Sequence, residues 1–159
     1  MITERELRFL GIAIELSEKC MHENVGGPFG CVIVKGDEIV GRGNNRVTAD
    51  NDPTAHAEVV AIRNACTNLG TYQLTDCEVY TSCEPCPMCL GAIYWARPER
   101  VFYANTRHDA ADIDFDDEFI YKQINTQMNE RKIPFIHVPH PVAKKIFDDW
   151  KNWDGKKRY

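Results

Sequence analysis

Apolar residues recur at helical intervals near both ends of the chain. Near the N-terminus they predict an amphipathic helix over residues 4–22. Its apolar positions are Phe9, Ala13, Leu16 and Cys20. Thr3-Glu4-Arg5-Glu6 has the form of a capping box, which favours a helix start at this point. Near the C-terminus the same spacing predicts a final helix, with apolar positions Val142, Ile146, Trp150 and Trp153.

Short apolar runs between these helices predict the strands of a mixed sheet. The runs are residues 31–35, 38–42, 77–82 and 100–104. The first two flank Gly36-Asp37, which is typical of a tight antiparallel hairpin. The last two are joined by a helix from Cys86 to about Arg97, and such a strand-helix-strand unit is right-handed and parallel. We therefore expect an α/β protein, a three-layer α/β/α sandwich with a central mixed sheet.

A further helix is predicted to follow Asp52-Pro53, because Asp can cap a helix and Pro suits the first helical position. This start places His56 and Glu58 in the first turn. Gly70 then ends the helix. Its buried stripe is predicted at Val59, Ile62, Cys66 and Leu69.

In the last third of the chain the sequence patterns predict secondary structure less clearly. An acidic run over residues 109–118 precedes a helix that begins near Phe119. Residues 134–138 have the composition of a last strand. No linker or repeat divides the sequence, so we expect one domain over residues 1–159, with a C-terminal helix and tail over residues 142–159.

Composition narrows the range of functions. The chain has 159 residues, of which 43% are apolar and 27% charged, as in an ordinary globular domain. Its net charge of −5 disfavours nucleic acid as a partner. The seven cysteines are odd in number and follow no signal peptide, so we expect a reducing, cytoplasmic location. No stretch is apolar enough for a membrane span, which takes about 18 residues.

Two short motifs carry the candidate chemistry. They are His56-Ala57-Glu58 and Pro85-Cys86-Pro87-Met88-Cys89. One imidazole and two thiolates suit Zn²⁺ and leave a fourth position for water. A zinc ion would lower the pKa of this water, and Glu58 would act as the proton shuttle. The order of these residues matches the signature of zinc-dependent nucleobase deaminases, so we expect one zinc ion per active site.

Other interpretations of these residues remain open. A Cys-x-x-Cys pair alone also occurs in structural zinc clips and in redox proteins. Cys83 could close the fourth zinc position, although we expect it to be a buried thiol at a strand end. His137 and His140 are expected to be structural. Asn45 is either a turn former or a reader of a purine or pyrimidine edge, since its amide offers both a donor and an acceptor.

Four segments resemble the bacterial guanine deaminases of the cytidine deaminase superfamily. They are Gly-Gly-Pro-Phe-Gly at 26–30, Asn-Asp-Pro-Thr-Ala-His-Ala-Glu at 51–58, Thr-Ser-Cys-Glu-Pro-Cys-Pro-Met-Cys-Leu-Gly-Ala-Ile-Tyr-Trp-Ala-Arg-Pro at 81–98 and Phe-Asp-Asp-Glu-Phe-Ile-Tyr at 115–121. The resemblance implies a cytidine deaminase-like fold and the conversion of guanine and water to xanthine and ammonia in purine metabolism. It also implies zinc binding by His56, Cys86 and Cys89, with Glu58 as the proton shuttle.

The same resemblance implies roles for residues outside the zinc motifs. Asn45 would bind the purine edge, Phe29 and Trp95 would give it an apolar and stacking surface, and Asp117 would be a second catalytic carboxylate. The tail ending in Tyr159 would close over the pocket, and some relatives exchange it between the subunits of a homodimer. Residues 105–114 depart from the family pattern. A tRNA adenosine deaminase, a cytosine or aminotriazine deaminase and a non-catalytic zinc module are the alternatives.

Overall fold

In a computed structural model that describes residues 2–159, a four-stranded mixed sheet forms the centre of the first of two units. The strands are β1 (Gly30–Lys35), β2 (Glu38–Asn44), β3 (Cys77–Cys83) and β4 (Arg100–Asn105). Their order in the sheet is β2-β1-β3-β4. β1 is antiparallel to both β2 and β3, and β3 is parallel to β4. The predicted hairpin and the predicted parallel unit are both confirmed.

The first unit ends at Glu118, and the second runs from Phe119 to Tyr159. Helices of the first unit are α1 (Glu4–Glu23), α2 (Val47–Asp50), α3 (Ala57–Leu69), α4 (Pro87–Ala96) and α5 (Arg107–Ala111). α1 packs on one side of the sheet, here called the α1 face, whereas α3 and α4 pack on the other, called the α3 face. The predicted three-layer sandwich is thereby confirmed. None of the described helices is long and apolar enough to cross a membrane.

Large side chains fill the α1 face. Phe9 packs against Tyr80 with ring centroids 5.4 Å apart, and Tyr80 stacks on Phe102 at 4.7 Å. Val32 and Val34 of β1 complete this cluster. The predicted capping box is formed, because the backbone N–H of Thr3 donates to the Glu6 carboxylate at 2.7 Å.

A buried carboxylate ties α1 to the sheet on the same face. The Arg5 guanidinium donates to Glu78 at 2.6 Å and to the Tyr80 hydroxyl at 3.0 Å. Tyr80 itself donates to Glu78 at 2.9 Å, and Arg100 pairs with the other Glu78 oxygen. Glu78 is therefore fully hydrogen-bonded despite its burial.

On the α3 face, small residues form the contact between α3 and β2. The buried residues of α3 are Ala57, Glu58, Ala61 and Ala65. A methyl group on Gly43 would lie 2.5 Å from the Ala61 nitrogen, and one on Gly41 would lie 2.7 Å from the Ala65 Cβ. Of the predicted stripe, Ile62, Cys66 and Leu69 do pack against the core cluster, but all four residues of the stripe, with Val59, are only partly buried. The helix lies so close to β2 that a methyl group on either glycine would collide with it.

The predicted start of α3 is also wrong. The Asp52 carboxylate accepts hydrogen bonds from the backbone N–H and the hydroxyl of Thr54, at 2.8 and 2.7 Å. This local turn uses the capping group, so Pro53 lies outside the helix. α3 instead begins at Ala57, with His56 as an extended N-cap residue.

The second unit contains helices but no strand. Its elements are α6 (Glu118–Asn125), of which the first residue belongs to the first unit, a 3₁₀ turn (Met128–Glu130) and α7 (Pro141–Asn152). The strand predicted over residues 134–138 is not formed. Pro134 and Pro139 bracket that run, and neither can donate to a strand ladder. None of the described side chains from Phe119 to Tyr159 is buried.

Candidate metal centre and active site

Two helix N-termini bring three potential zinc ligands together. His56 is the N-cap residue of α3, and Cys86 is the N-cap residue of α4, with Cys89 in the first turn of α4. The Nδ1 atom of His56 lies 3.5 Å from the Cys86 Sγ and 3.6 Å from the Cys89 Sγ. A tetrahedral ion about 2.3 Å from sulfur and about 2.0 Å from nitrogen requires S···N distances of about 3.5 Å. The donor set and its spacing therefore fit Zn²⁺.

The electrostatics of the three ligands favour a thiolate. Hydrogen bonds from Cys89 and His56 lower the pKa of Cys86 well below that of a free thiol, although its burial opposes this shift. The hydrogen bond with Cys86 in turn raises the pKa of His56. The positive ends of α3 and α4 add to the same effect. Cys86 is thus held in the form that binds metal.

Glu58 lies beside the ligands but is not one of them. Its side chain is 6% exposed, and burial raises its pKa. Its Oε2 lies 3.3 Å from the Cys89 Sγ, and its Oε1 lies 3.4 Å from the Thr81 hydroxyl. Sequence reasoning identified Glu58 but missed Thr81. The alternation along β3, which places Thr81 on the same face as Val79 and Cys83, was the available signal.

Cys83 lies outside the candidate ligand group. Among the described residues, the group whose ligating atoms lie within 4.8 Å of one another is His56, Cys86 and Cys89. Cys83 is buried at the end of β3, where its Sγ lies 3.6 Å from the Thr106 carbonyl oxygen. Burial raises the pKa of its thiol to about 11. His137 and His140 are exposed and lie outside the group.

Asn45 is buried next to Phe29 in the first unit. Asn45 follows β2 and is 4% exposed. Its Oδ1 accepts from the Val47 N–H at 3.1 Å, and its own backbone N–H donates to the Phe29 carbonyl at 3.0 Å. A methyl group on Gly26 would lie 2.5 Å from the Asn45 carbonyl oxygen. The Gly26 backbone therefore lies in close contact with Asn45.

The loop that carries Asp117 is fixed by an aromatic contact that the sequence did not reveal. Phe115 packs edge-to-face on Phe29, with centroids 5.0 Å apart. Gly27 leaves the space for this contact, since a methyl group there would lie 2.8 Å from the Phe115 ring. Burial raises the pKa of Asp117, and the charge of Cys86 raises it further. Asp117 is therefore within electrostatic reach of the ligand group.

Two of the predicted substrate contacts are exposed. Trp95 lies on α4, six positions after Cys89, and is 65% exposed. Tyr159 ends the second unit and is 71% exposed. The roles of both residues in binding stay predictions.

Comparison with known proteins identifies a shared architecture. Residues 3–105 match the cytidine and deoxycytidylate deaminase zinc-binding region. The chain is 56% identical to a guanine deaminase of Bacillus subtilis over 151 residues, which is 95% of this chain and 97% of that protein. A crystal structure of guanine deaminase from Bacillus subtilis superposes with a TM-score of 0.94 at 54% identity, covering 99% of both chains. A tRNA-specific adenosine deaminase of Buchnera aphidicola is 32% identical over 96% of this chain and 98% of its own length.

Proposed function

This chain belongs to the cytidine and deoxycytidylate deaminase family, and we propose that it catalyses the zinc-dependent hydrolysis of guanine to xanthine and ammonia. One observation carries the reaction type. Three ligand atoms at tetrahedral spacing lie beside a buried carboxylate, Glu58, that is not a ligand. The similarity to guanine deaminase over 95% of the chain supports the choice of substrate and a role in purine metabolism.

In the proposed reaction, zinc would activate the water and residues of the protein would transfer the protons. A zinc ion held by His56, Cys86 and Cys89 would supply the Lewis acidity that makes water nucleophilic near neutral pH. Glu58 takes a proton from the attacking water and delivers it to the purine ring nitrogen. It then takes the proton of the newly added hydroxyl group and delivers it to the amino group, which leaves as ammonia while the carbonyl group forms. The raised pKa of Glu58 suits a group that must carry a proton during turnover.

In this proposal the other site residues hold the purine. The Asn45 side chain hydrogen-bonds the purine edge, and it is well suited to this because it is buried with its oxygen already fixed by Val47. Phe29 and Trp95 supply apolar and stacking surface. Asp117 is a second carboxylate near the purine and assists proton transfer.

The substrate is tested by ammonia release from the zinc-loaded protein. Guanine, adenine, cytosine, an aminotriazine, guanosine and a tRNA carrying a wobble adenosine are offered separately. We expect release from guanine. The 32% identity to a tRNA-specific adenosine deaminase makes tRNA the second candidate, although the net charge of −5 disfavours binding to a polyanion. Release from tRNA but not from guanine would reverse the assignment.

The role of Glu58 is tested by Glu58→Gln. Loss of a proton shuttle commonly costs about 10²–10⁴-fold in rate, so we expect a loss in this range with zinc content unchanged. Glu78→Gln is the matched control, because Glu78 is equally buried but lies on the α1 face. Equal activity of Glu58→Gln and the wild-type protein would contradict the assignment of Glu58 as the proton shuttle.

We further propose that the protein is one catalytic domain that acts as a homodimer in the cytoplasm. Residues 142–159 would cover an active site, with Tyr159 against the purine and with exchange between subunits. The apolar residues of α7 are all exposed, which supports a further contact for this segment. The cysteines are free thiols, as in a reducing compartment.

The tail is tested by deleting residues 156–159 and measuring activity, melting temperature and oligomeric mass. We expect kcat/KM to fall much more than the melting temperature, because a cover contributes to the site rather than to the core. Equal losses in both would contradict the cover, and a monomeric mass for the full chain would contradict the dimer.

A further inference from the structure

A buried hydroxyl on β3 contacts the proton shuttle. Thr81 is 1% exposed, and its Oγ1 lies 3.4 Å from the Oε1 of Glu58 and 3.5 Å from the Gly30 carbonyl oxygen. These O···O distances are long for hydrogen bonds, and contacts at catalytic groups commonly shorten when substrate binds. The two carboxylate oxygens of Glu58 thus face different partners, Thr81 on one side and Cys89 on the other.

Packing alone does not explain a hydroxyl at this position. Val79 and Cys77, on the same face of β3, belong to an apolar cluster. Valine has almost the shape of threonine and suits a buried strand equally well. A hydroxyl buried there carries a desolvation cost unless it is hydrogen-bonded. Its possible acceptors are the Glu58 carboxylate and the Gly30 carbonyl, which links the hydroxyl to the shuttle.

We propose that Thr81 is a positioning residue that holds the Glu58 carboxylate in its catalytic orientation. With Oε1 held by Thr81, Oε2 faces the ligand group at Cys89. The hydroxyl has one proton and two acceptors. The Oε1 atom of Glu58 and the Gly30 carbonyl oxygen are both within reach of that proton. The inference rests on the proposed function, since it concerns the same proton shuttle.

Two variants of Thr81 separate the hydroxyl from the side-chain volume. Thr81→Val keeps the shape and removes the hydroxyl, whereas Thr81→Ser keeps the hydroxyl. With guanine, we expect Thr81→Val to lower kcat by about tenfold, as for the loss of one hydrogen bond to a charged group, and to leave KM nearly unchanged. Thr81→Ser should recover most of the wild-type kcat. Zinc content should be the same in all three proteins.

Ser82→Ala provides the matched control. Ser82 is the next residue of β3, is also buried, and also contacts Gly30, since its hydroxyl accepts from the Gly30 N–H at 3.0 Å. It belongs to the α1 face and does not contact Glu58. We expect Ser82→Ala to lower the melting temperature without lowering kcat. An equal fall of kcat in Ser82→Ala and Thr81→Val would assign the effect to the strand and overturn the proposal.

Crystal structures of the zinc-loaded variants give a readout that needs no substrate. In Thr81→Val the Glu58 carboxylate should rotate or occupy two orientations, and in Thr81→Ser it should keep one. An unchanged carboxylate in Thr81→Val would overturn the proposal. If the wild-type protein releases no ammonia from guanine, the proposed function fails, while the orientation of Glu58 in these structures still decides the role of Thr81.

Discussion

On the α1 face of the sheet large side chains make the contacts, whereas on the α3 face alanine methyl groups meet glycine backbone. On the first face Tyr80 contacts the rings of Phe9 and Phe102, and Glu78 forms ion pairs on the same face. On the second face α3 lies against Gly41 and Gly43 of β2. The candidate zinc ligands and Glu58 all belong to the second face.

The two faces therefore contribute differently: the α1 face contributes mainly to stability, and the α3 face mainly positions the candidate site. Large side chains bury the most apolar area and so contribute most to stability. Close contact between backbones fixes the position of a helix within a few tenths of an ångström, which a catalytic site requires. We therefore expect substitutions on the α3 face to reduce activity more than stability, and substitutions on the α1 face to reduce stability more than activity.

The largest expected effect is the loss of a zinc ligand. In Cys86→Ser we expect zinc content to fall and activity to drop by more than about 100-fold, because even groups that only support a zinc ligand cost 10–100-fold. Metal analysis and ammonia release measure both. Cys83→Ser is the matched control, since Cys83 is a neighbouring buried thiol outside the ligand group. Zinc loss in Cys83→Ser would contradict the assigned ligand set.

The contact between α3 and β2 gives the next effect. In Gly43→Ala the added methyl group would collide with the backbone of α3, so we expect a loss of about 2–3 kcal/mol in the free energy of unfolding. Activity at a temperature where the variant is folded should fall by about tenfold or more, because α3 carries His56 and Glu58. Urea denaturation and kcat measure the two effects.

Gly11→Ala is the control for that prediction on the other face. A methyl group on Gly11 would meet no atom within 4 Å, and Gly11 lies inside α1. We expect this variant to be more stable by about 0.5–1 kcal/mol, with unchanged kcat. A normal kcat in Gly43→Ala would mean that the site tolerates movement of α3, and the comparison between the faces would fail.

The ion pairs of the α1 face should affect stability but not activity. Burial alone would raise the pKa of Glu78, but hydrogen bonds from Arg5 and Tyr80 outweigh burial and lower it from 4.5. A carboxyl group with a lowered pKa stabilises the folded state above its unfolded pKa, and this stabilisation is lost as the pH falls through the folded value. Glu78→Gln should therefore be less stable than the wild-type protein by about 2 kcal/mol near pH 7.

Below about pH 4 this stability gap should narrow, because the wild-type protein then loses the charge of Glu78 as well. Denaturation curves of both proteins from pH 3 to 8 measure the difference in their free energies of unfolding. Asp37→Asn is the control, because Asp37 pairs with the same Arg5 but is exposed, and such pairs contribute at most about 1 kcal/mol. A gap independent of pH would show that the charge of Glu78 contributes nothing.

Local signals predicted much of this fold. The capping box of α1, the Gly36 turn and the order of the zinc motifs each depend on a few adjacent residues, and all three are confirmed. The start of α3 was missed because Asp52 has a competing local partner in Thr54. The sequence is compatible with Asp52 either as a helix cap or as the acceptor in a local turn with Thr54. Only the tertiary position of α3 decides between these two roles.

Contacts between distant segments were out of reach of the sequence. The alanine side of α3 is buried because glycines of β2 face it, and helical periodicity alone favours the larger residues. The contacts of Phe115 with Phe29 and of Thr81 with Glu58 likewise join segments far apart in the chain. Such pairings become visible only when the strand order is known.

The contact of α3 with Gly41 and Gly43 also bears on how the site responds to temperature. Alanine and glycine have no side-chain rotamers, so this contact gains no rotameric entropy on warming. The aromatic and arginine side chains of the α1 face do have alternative rotamers, and they can begin to exchange well below the melting temperature. The distance between His56, the candidate zinc ligand at the start of α3, and the sheet should thus stay constant over a temperature range in which the side chains of the opposite face already exchange rotamers.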